Sequence, residues 1–170
     1  MTRSLIAEAF VILLGRRGYD GIRVSDITRK AGVGRATFYA HFDSKDALLR
    51  GEIARLARAM LPPLPSEPCL LDATKLFAHV QQRPRLFRSV LGPATRAVAE
   101  RIVQDAIEAH VLAMLEARPS EGREQAFVPR FVASTLLTLM AWALDQPEQT
   151  SPERLQQTFA ELVGGALAKL

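Results

Sequence analysis

The sequence predicts an all-α fold, with an N-terminal three-helix unit that contains a helix-turn-helix and a C-terminal helical bundle. Three observations support this. Apolar residues recur at helical spacing along almost the whole chain of 170 residues, and no segment alternates convincingly as a strand would. The composition, 48% apolar and 24% charged, is that of an ordinary globular protein. One proline-rich segment, "PPLPSEP" at residues 62–68, divides the chain.

The first predicted helix covers about residues 3–17. Ile6, Phe10 and Leu13 lie on one face at helical spacing, which gives the helix an apolar side. Gly18 follows directly, at the position where a helix is often closed by a residue with positive φ. This helix is therefore expected to pack its apolar face against the segments that follow.

The sequence "GVG" joins two short predicted helices, residues 25–31 and 35–41. Ser25 is expected to cap the first of them, and Gly32 to end it with a positive φ. Val33 is expected to point inward from the turn. Two short helices joined by so compact a turn are typical of a helix-turn-helix.

A small core is expected around these helices, because about 45 residues offer few other apolar groups to fill it. The residues expected to bury against the first helix are Val24, Ile27, Phe38 and Phe42. Asp43 or Ser44 is expected to cap a fourth helix that reaches about residue 60.

The four prolines between residues 62 and 68 cannot continue a helix, so we place a domain boundary there, between residues 1–61 and 62–170. Breaks at prolines and at a Gly-Pro pair separate five further predicted helices. They cover about residues 70–82, 85–91, 94–117, 121–145 and 152–169.

Positive charge is concentrated in the first domain. Residues 1–61 contain 11 Lys/Arg and 6 Asp/Glu, whereas residues 62–170 contain 11 and 12. This asymmetry favours a polyanionic partner for the first domain. The single cysteine, Cys69, excludes an internal disulfide, and the longest apolar stretch is too short to span a bilayer. A soluble cytoplasmic protein without a membrane partner is therefore expected.

Several polar residues of the second short helix cannot all face the core. Arg35 can bond guanine through two N–H groups, and Thr37 can offer a hydroxyl and a methyl group to base edges. Tyr39 and His41 can donate to phosphate oxygens. Lys45, in the first turn of the fourth helix, opposes the helix dipole but could help the free N–H groups hold a phosphate. Each residue alone is as well explained as solvated surface, but together they favour DNA.

The stretch "GIRVSDITRKAGVGRATFYAHFDSKDALL" resembles the DNA-binding signature of the TetR family of bacterial transcriptional repressors. The match covers about residues 18–49, and the remainder is similar only in architecture. One departure is Gly34, which stands where a serine or threonine often caps the recognition helix. The resemblance implies a DNA interface that includes Ser25, Arg35, Ala36, Thr37, Tyr39, His41 and Lys45.

The same resemblance implies that the C-terminal domain dimerises and binds a small effector. The segment "FVPRFVASTLLTLMAWAL" is apolar around most of its circumference, and the last segment carries the small residues Gly164, Gly165 and Ala166. Both features suit a four-helix interface across a two-fold axis, although both helices could instead be buried in the monomer's own core.

A largely apolar effector pocket is expected among the later helices, with His79 or His110 as polar groups. The same apolar residues could equally be plain core, and the sequence does not identify the ligand. The candidate lining residues are Phe77, Phe87, Leu91, Met114, Phe131 and Trp142.

An enzyme and a helical interaction module are the two alternative functions. An enzyme is disfavoured, because the pair of glycines in "GVG" follows no strand and lacks a third glycine, and no phosphate-loop lysine motif follows it. The three histidines do not have metal-binding spacing, so neither a metal nor a cofactor is expected. A helical interaction module that binds an acidic protein partner is the second alternative, and a palindromic operator would exclude it. The sequence thus favours a homodimeric, ligand-responsive repressor that binds a palindromic operator.

Overall fold

A computed structural model of the protein describes residues 1–60, 72–116 and 127–167. In these ranges all regular secondary structure is helical, which confirms the predicted all-α fold. The α-helices are α1 Thr2–Arg17, α2 Val24–Ala31, α3 Arg35–His41, α4 Lys45–Met60, α5 Thr74–Gln82, α6 Pro84–Val90, α7 Arg96–Glu116, α8 Val128–Asp145 and α9 Pro152–Leu167. A short 3-10 helix, Pro147–Gln149, lies between α8 and α9.

The first three helices enclose the small core that the sequence predicts. Phe10, Ile27 and Phe38 are fully buried, and Phe42 is nearly so. Gly32 ends α2 in the left-handed conformation, with φ 68° and ψ 32°, which residues with a Cβ rarely adopt. The turn can therefore reverse direction sharply and set α3 against α1 and α2.

The start of α2 differs from the expectation. The helix begins at Val24, and the backbone N–H of Arg23 donates to the carboxylate of Asp26 over 3.0 Å. Ser25 is not the cap: it lies inside the first turn and is exposed. A carboxylate three residues into the helix is an ionised acceptor, which makes a stronger bond than a hydroxyl does. At α4 the cap is Ser44 rather than Asp43, since its Oγ accepts from the N–H of Ala47 over 3.0 Å.

The C-terminal helices surround a second core. α8 is central to it, because it packs against α5, α7 and α9. Phe77, Leu136, Leu155 and Phe159 are completely or almost completely buried there. The carbonyl of Leu144 at the end of α8 accepts a hydrogen bond of 2.7 Å from the Arg88 guanidinium, which fixes α6 against α8.

The two cores meet along α6 and α7. α1 packs closely on α6, and a Cβ placed at Gly15 would lie 3.8 Å from the Cβ of Leu86. Leu86 belongs to the buried cluster of the N-terminal helices, whereas Leu91 and Val103 touch both clusters. α4 packs along α7. A change in the C-terminal helices can therefore reach the N-terminal unit through two contacts, α1 with α6 and α4 with α7.

The proline-rich segment and the predicted boundary after residue 61 lie outside the described residues, so the division into residues 1–61 and 62–170 stays a prediction. Among the helices described, none is both long enough and apolar enough to cross a membrane.

Candidate nucleic-acid interface

α3 has one buried side and one exposed side. Phe38 is completely buried, and its ring lies 5.9 Å from that of Phe42, just after the helix. Thr37 is half-buried at the edge of the exposed side. The other candidate residues of this helix, all exposed, are Arg35, Ala36, Tyr39 and His41. A short helix held from beneath by two aromatic rings can thus present polar side chains to a groove.

Tyr39 is the large residue on that exposed side. Its side chain remains 47% exposed, although its ring meets Phe38 edge to face at 5.3 Å. This contact restricts the ring while leaving the hydroxyl accessible for donation to a phosphate oxygen. Arg3 of α1 lies next to this region, because its guanidinium sits 4.8 Å from the centre of the Phe42 ring. Arg3 was not among the candidate residues predicted from the sequence.

Positive charge around α2 and α3 is only partly neutralised. The Asp26 carboxylate lies 2.7 Å from Arg29 and 3.6 Å from Arg17. The backbone N–H of Arg23 lowers the pKa of Asp26, and the neighbouring arginines add to this, so the carboxylate stays charged. Lys30 and Arg35 have no ion pair among the described residues. The exposed surface of the helix-turn-helix is therefore left net positive, as binding to a polyanion requires.

Lys45 is placed differently from the other candidates. Its ammonium donates to the carbonyl of Tyr19 over 3.0 Å and to the carbonyl of Ile22 over 2.9 Å. The same ammonium lies 3.8 Å from the centre of the Tyr19 ring. Burial lowers the pKa of Lys45, while Asp20 opposes that change. The observed contacts tie the start of α4 to the turn between α1 and α2, and a phosphate contact by Lys45 stays a prediction.

Tyr19, like Arg3, was not among the residues that the sequence predicted for the interface. Its carbonyl and its ring both hold Lys45, and the ring also meets Phe10 edge to face at 6.5 Å. Its hydroxyl is buried and has no hydrogen-bond partner among the described residues. The sequence signal for Tyr19 was the glycine-aromatic pair Gly18-Tyr19 after the first helix. Such a pair indicates an aromatic side chain that folds back onto the three-helix core.

The predicted effector residues are not all brought together. An apolar cavity of about 120 Å³ lies among α1, α4, α5, α6, α7 and α8, and Phe87 and Leu91 line it. Phe77 is instead buried in the C-terminal core, and Phe131 packs half-buried against that core. Trp142 is 42% exposed. The side chain of Met114 lies outside the described residues.

The two histidines proposed as polar groups also differ in position. His79 lines the cavity and its ring meets Phe87 edge to face at 5.6 Å, whereas His110 is not among the residues that line it. Burial lowers the pKa of both, and Arg83 contributes to the shift at His79. The Nε2 atoms of both are buried without a partner in the part of the chain described.

Apolar groups remain exposed on the two last helices. Trp142 of α8 is 42% exposed and Leu162 of α9 is 51% exposed. Ser134 and Thr138 precede Trp142 at intervals of four residues and are exposed too, so they share one face of α8. The two helices are therefore not wholly absorbed by the monomer's own core.

The described residues contain no group of three or more His, Cys, Asp or Glu side chains that could hold a metal ion.

A helix-turn-helix with an exposed, basic second helix, placed on an all-helical second unit, defines the class of DNA-binding transcriptional regulators. Comparison with known proteins agrees. Residues 6–51 match the family model described as bacterial regulatory proteins, tetR family. These N-terminal residues thus match the TetR family of bacterial transcriptional regulators, as the sequence motif predicted.

Two relatives match along nearly the whole chain. The transcriptional regulator MftR of Mycobacterium tuberculosis is 27% identical over 97% of this chain and 90% of its own length. The HTH-type transcriptional regulator YxbF of Bacillus subtilis is 27% identical over 95% of this chain, but the chain covers only 44% of YxbF. Both relatives are regulators rather than enzymes, which favours regulation over catalysis.

Solved structures show the same fold. The dihydroxyacetone kinase operon activator DhaS matches 99% of this chain and 96% of its own, with a TM-score of 0.67 and 19% identity. A transcriptional regulator from Rhodococcus sp. RHA1 matches 99% of this chain and 97% of its own, with a TM-score of 0.66 and 19% identity. At this level of identity the similarity establishes the architecture alone. The ligand and the operator of each of these regulators are not transferred to this chain.

Proposed function

We propose that the chain is a cytoplasmic, ligand-responsive repressor that binds a palindromic operator as a homodimer. The observation that carries the proposal is the division of α3, with Phe38 buried beneath it and Arg35, Ala36 and Tyr39 exposed above. A helix anchored in this way can enter the major groove while the rest of the three-helix unit follows the DNA backbone.

The exposed residues would contact different parts of the DNA. Arg35 and Thr37 would contact base edges, where Arg prefers guanine and the Thr methyl group suits thymine. Ala36 is small enough to let the helix backbone approach the bases. Tyr39 and His41 would donate to phosphates and so set the register of the helix without reading sequence.

Ser25 and Lys45 would complete the interface in different ways. Ser25 is exposed at the start of α2, where its hydroxyl can reach a phosphate. Lys45 holds the turn at Tyr19 and Ile22, and this fixes the free N–H groups at the start of α4 relative to α3. Those N–H groups can then donate hydrogen bonds to a phosphate.

Dimerisation would use α8 and α9. Trp142 and Leu162 supply the exposed apolar groups, and Ser134 and Thr138 allow close approach of a second helix. Aromatic side chains near the centre of such a surface commonly carry much of the binding energy. The proposal requires a two-fold axis through this surface that sets two α3 helices roughly one DNA turn (~34 Å) apart, to match two half-sites of a palindrome.

Ligand response would use the apolar cavity, which lies between the two cores. A ligand that fits one arrangement of α1, α4 and α6 better than another shifts the population toward that arrangement. A change in the separation of the two α3 helices would then weaken operator binding. If the chain acts as a repressor, addition of the ligand restores transcription.

Selection of bound duplexes from a random library, at two salt concentrations, tests the proposal. We expect a palindrome with two half-sites, enriched at both concentrations. Enrichment of a single half-site would contradict the dimer. Salt-sensitive binding without any sequence preference would contradict the proposal that the chain recognises a specific operator. A reporter gene placed downstream of the selected operator would then distinguish repression from activation.

A further inference from the structure

The apolar cavity touches the DNA-binding unit directly. Phe10, Val11 and Leu14 of α1 form one side of it, and Phe87 of α6 and Met140 of α8 lie among the residues on its other sides. Its volume of about 120 Å³ is somewhat smaller than an engineered apolar cavity of ~150 Å³ that binds benzene. The space therefore suits a compact apolar group of about the size of one aromatic ring.

A wider polar groove adjoins this cavity. The groove has a volume of about 640 Å³ and lies between α1, α4 and the residue that joins α5 to α6. The side chains common to the walls of both spaces are those of Val11, Glu52, Arg55 and Arg83. The two spaces are therefore neighbours that meet at these side chains, and a displacement of the long Arg55 or Arg83 side chain would let a molecule in the cavity extend a polar group into the groove.

The charged residues of the groove favour an anion. Three arginines, Arg3, Arg55 and Arg83, face two carboxylates, Glu8 and Glu52. The Glu52 carboxylate is held by Arg55 at 2.9 Å, and Arg3 is stacked on the Phe42 ring. Arg83 is exposed and has no ion pair in the part of the chain described. Its side chain lines both the cavity and the groove, so its guanidinium is available to a ligand at their common border.

We propose that the cavity and the groove form one site for a small organic anion, in which a ring-sized apolar group is joined by a short chain to a carboxylate. The apolar group occupies the cavity against α1, and Arg83 binds the carboxylate. His79 lines the cavity, its buried Nε2 has no partner in the part of the chain that the structure describes, and it is a further polar group available to the ligand.

This site would make α1 part of the response to ligand. Because Phe10, Val11 and Leu14 contact the bound group, a change there moves the DNA-binding unit without first passing through α4. The regulatory meaning of the site rests on the proposed ligand response. Binding itself does not, since it can be measured in the absence of DNA.

Calorimetric titration of the full chain with 4-phenylbutyrate tests the site. Its uncharged amide serves as a matched probe of equal size, and the corresponding amine as a probe that is one atom smaller. We expect the acid to bind at least about tenfold more tightly than the amide, because charge-assisted hydrogen bonds to arginine are among the strong ones. The amine should bind more weakly still. Equal affinities for the acid and the amide, or no binding of any probe, would overturn the proposal.

Variants then assign the two parts of the site. Arg83→Gln should reduce affinity for the acid about tenfold and leave the amide unchanged. Arg85→Gln is the matched control, since Arg85 is exposed nearby on α6 but lines neither space. Ala57→Leu should reduce binding of both probes, because Ala57 lines the apolar cavity. Unchanged affinity for the acid in Arg83→Gln would overturn the assignment.

Operator binding with saturating acid separates this proposal from the proposed function. Binding of the acid that leaves operator affinity unchanged would support the site and contradict its role in regulation. Failure of the ligand-free chain to select any operator would contradict the repressor, whatever the probes do.

Discussion

Lys45→Met removes the ammonium that joins α4 to the turn after α1 while keeping the apolar stem of the side chain. Two hydrogen bonds are lost, to the carbonyls of Tyr19 over 3.0 Å and of Ile22 over 2.9 Å, together with the contact to the Tyr19 ring. Hydrogen bonds from charged groups contribute about 1.5–3 kcal/mol each and a partly exposed cation–π contact about 0.5–1 kcal/mol.

Two effects reduce that total. Burial lowers the pKa of Lys45, so part of the attraction offsets the cost of desolvating the ammonium. The Tyr19 carbonyl also keeps one hydrogen bond, from the N–H of Ile22 over 3.2 Å. We therefore expect the free energy of unfolding to fall by about 2 kcal/mol.

Urea unfolding followed by circular dichroism, at one fixed protein concentration, measures this change. With a slope of about 1–3 kcal/mol per molar urea, the midpoint should fall by roughly 1 M. Lys30→Met is the matched control, because Lys30 is exposed on α2 and the substitution removes the same positive charge. It should change stability by less than about 0.5 kcal/mol.

Salt-dependent binding of both variants to nonspecific DNA separates the two roles of Lys45. The contacts in the structure predict a loss of stability with little change in the salt slope. A stability equal to that of the unsubstituted chain, with a slope smaller by about 1, would refute this reasoning and assign Lys45 to a phosphate.

Three further changes test other parts of the fold. Gly32→Ala should destabilise the protein by about 1–2 kcal/mol in urea unfolding, because Gly32 has φ 68°. Gly34→Ala at φ −74° should cost less, about 0.5 kcal/mol, because Ala is disfavoured at Gly34 only by the N-cap position; equal effects would refute the left-handed turn. Trp142→Glu should shift the mass measured by light scattering from dimer to monomer, and Leu112→Glu on α7 should not; an unchanged dimer in Trp142→Glu would exclude this face. Since burial lowers the pKa of His79 below 6.5, His79 is protonated more readily in the unfolded chain. Its stabilising contribution is therefore full above pH 6.5 and is lost as the pH falls through the folded-state pKa. His79→Gln should accordingly flatten the decrease in urea midpoint between about pH 7.5 and about pH 5.5, and an unchanged decrease would refute the assignment.

The helices could be predicted because their signals are local. Gly32 and the apolar periodicity of α1 depend on neighbouring residues alone, and the structure confirms the helices they delimit. The cap of α2 was mispredicted because Ser25 and Asp26 compete for the same role. The choice between them depends on the backbone geometry at Arg23, which the sequence does not reveal.

The contacts of Lys45 and the cavity could not be predicted, since both join residues distant in the chain. Lys45 meets a turn 23 to 26 residues earlier, and the cavity combines α1 with helices more than sixty residues later. An apolar residue at helical spacing carries no sign of whether it lines a cavity or fills a core. Phe87 and Phe77 illustrate this, because only Phe87 reaches the cavity.

Repetition of the operator selection with Arg35→Ala tests the central claim most directly, because it examines the reading helix and the two-fold symmetry together. The account predicts the same palindrome with base preference lost at one position in each half-site, at mirror-related places, and a weakening of about 1–3 kcal/mol. An unchanged motif would show that Arg35 reads no base. A change in one half-site alone would contradict the symmetric dimer.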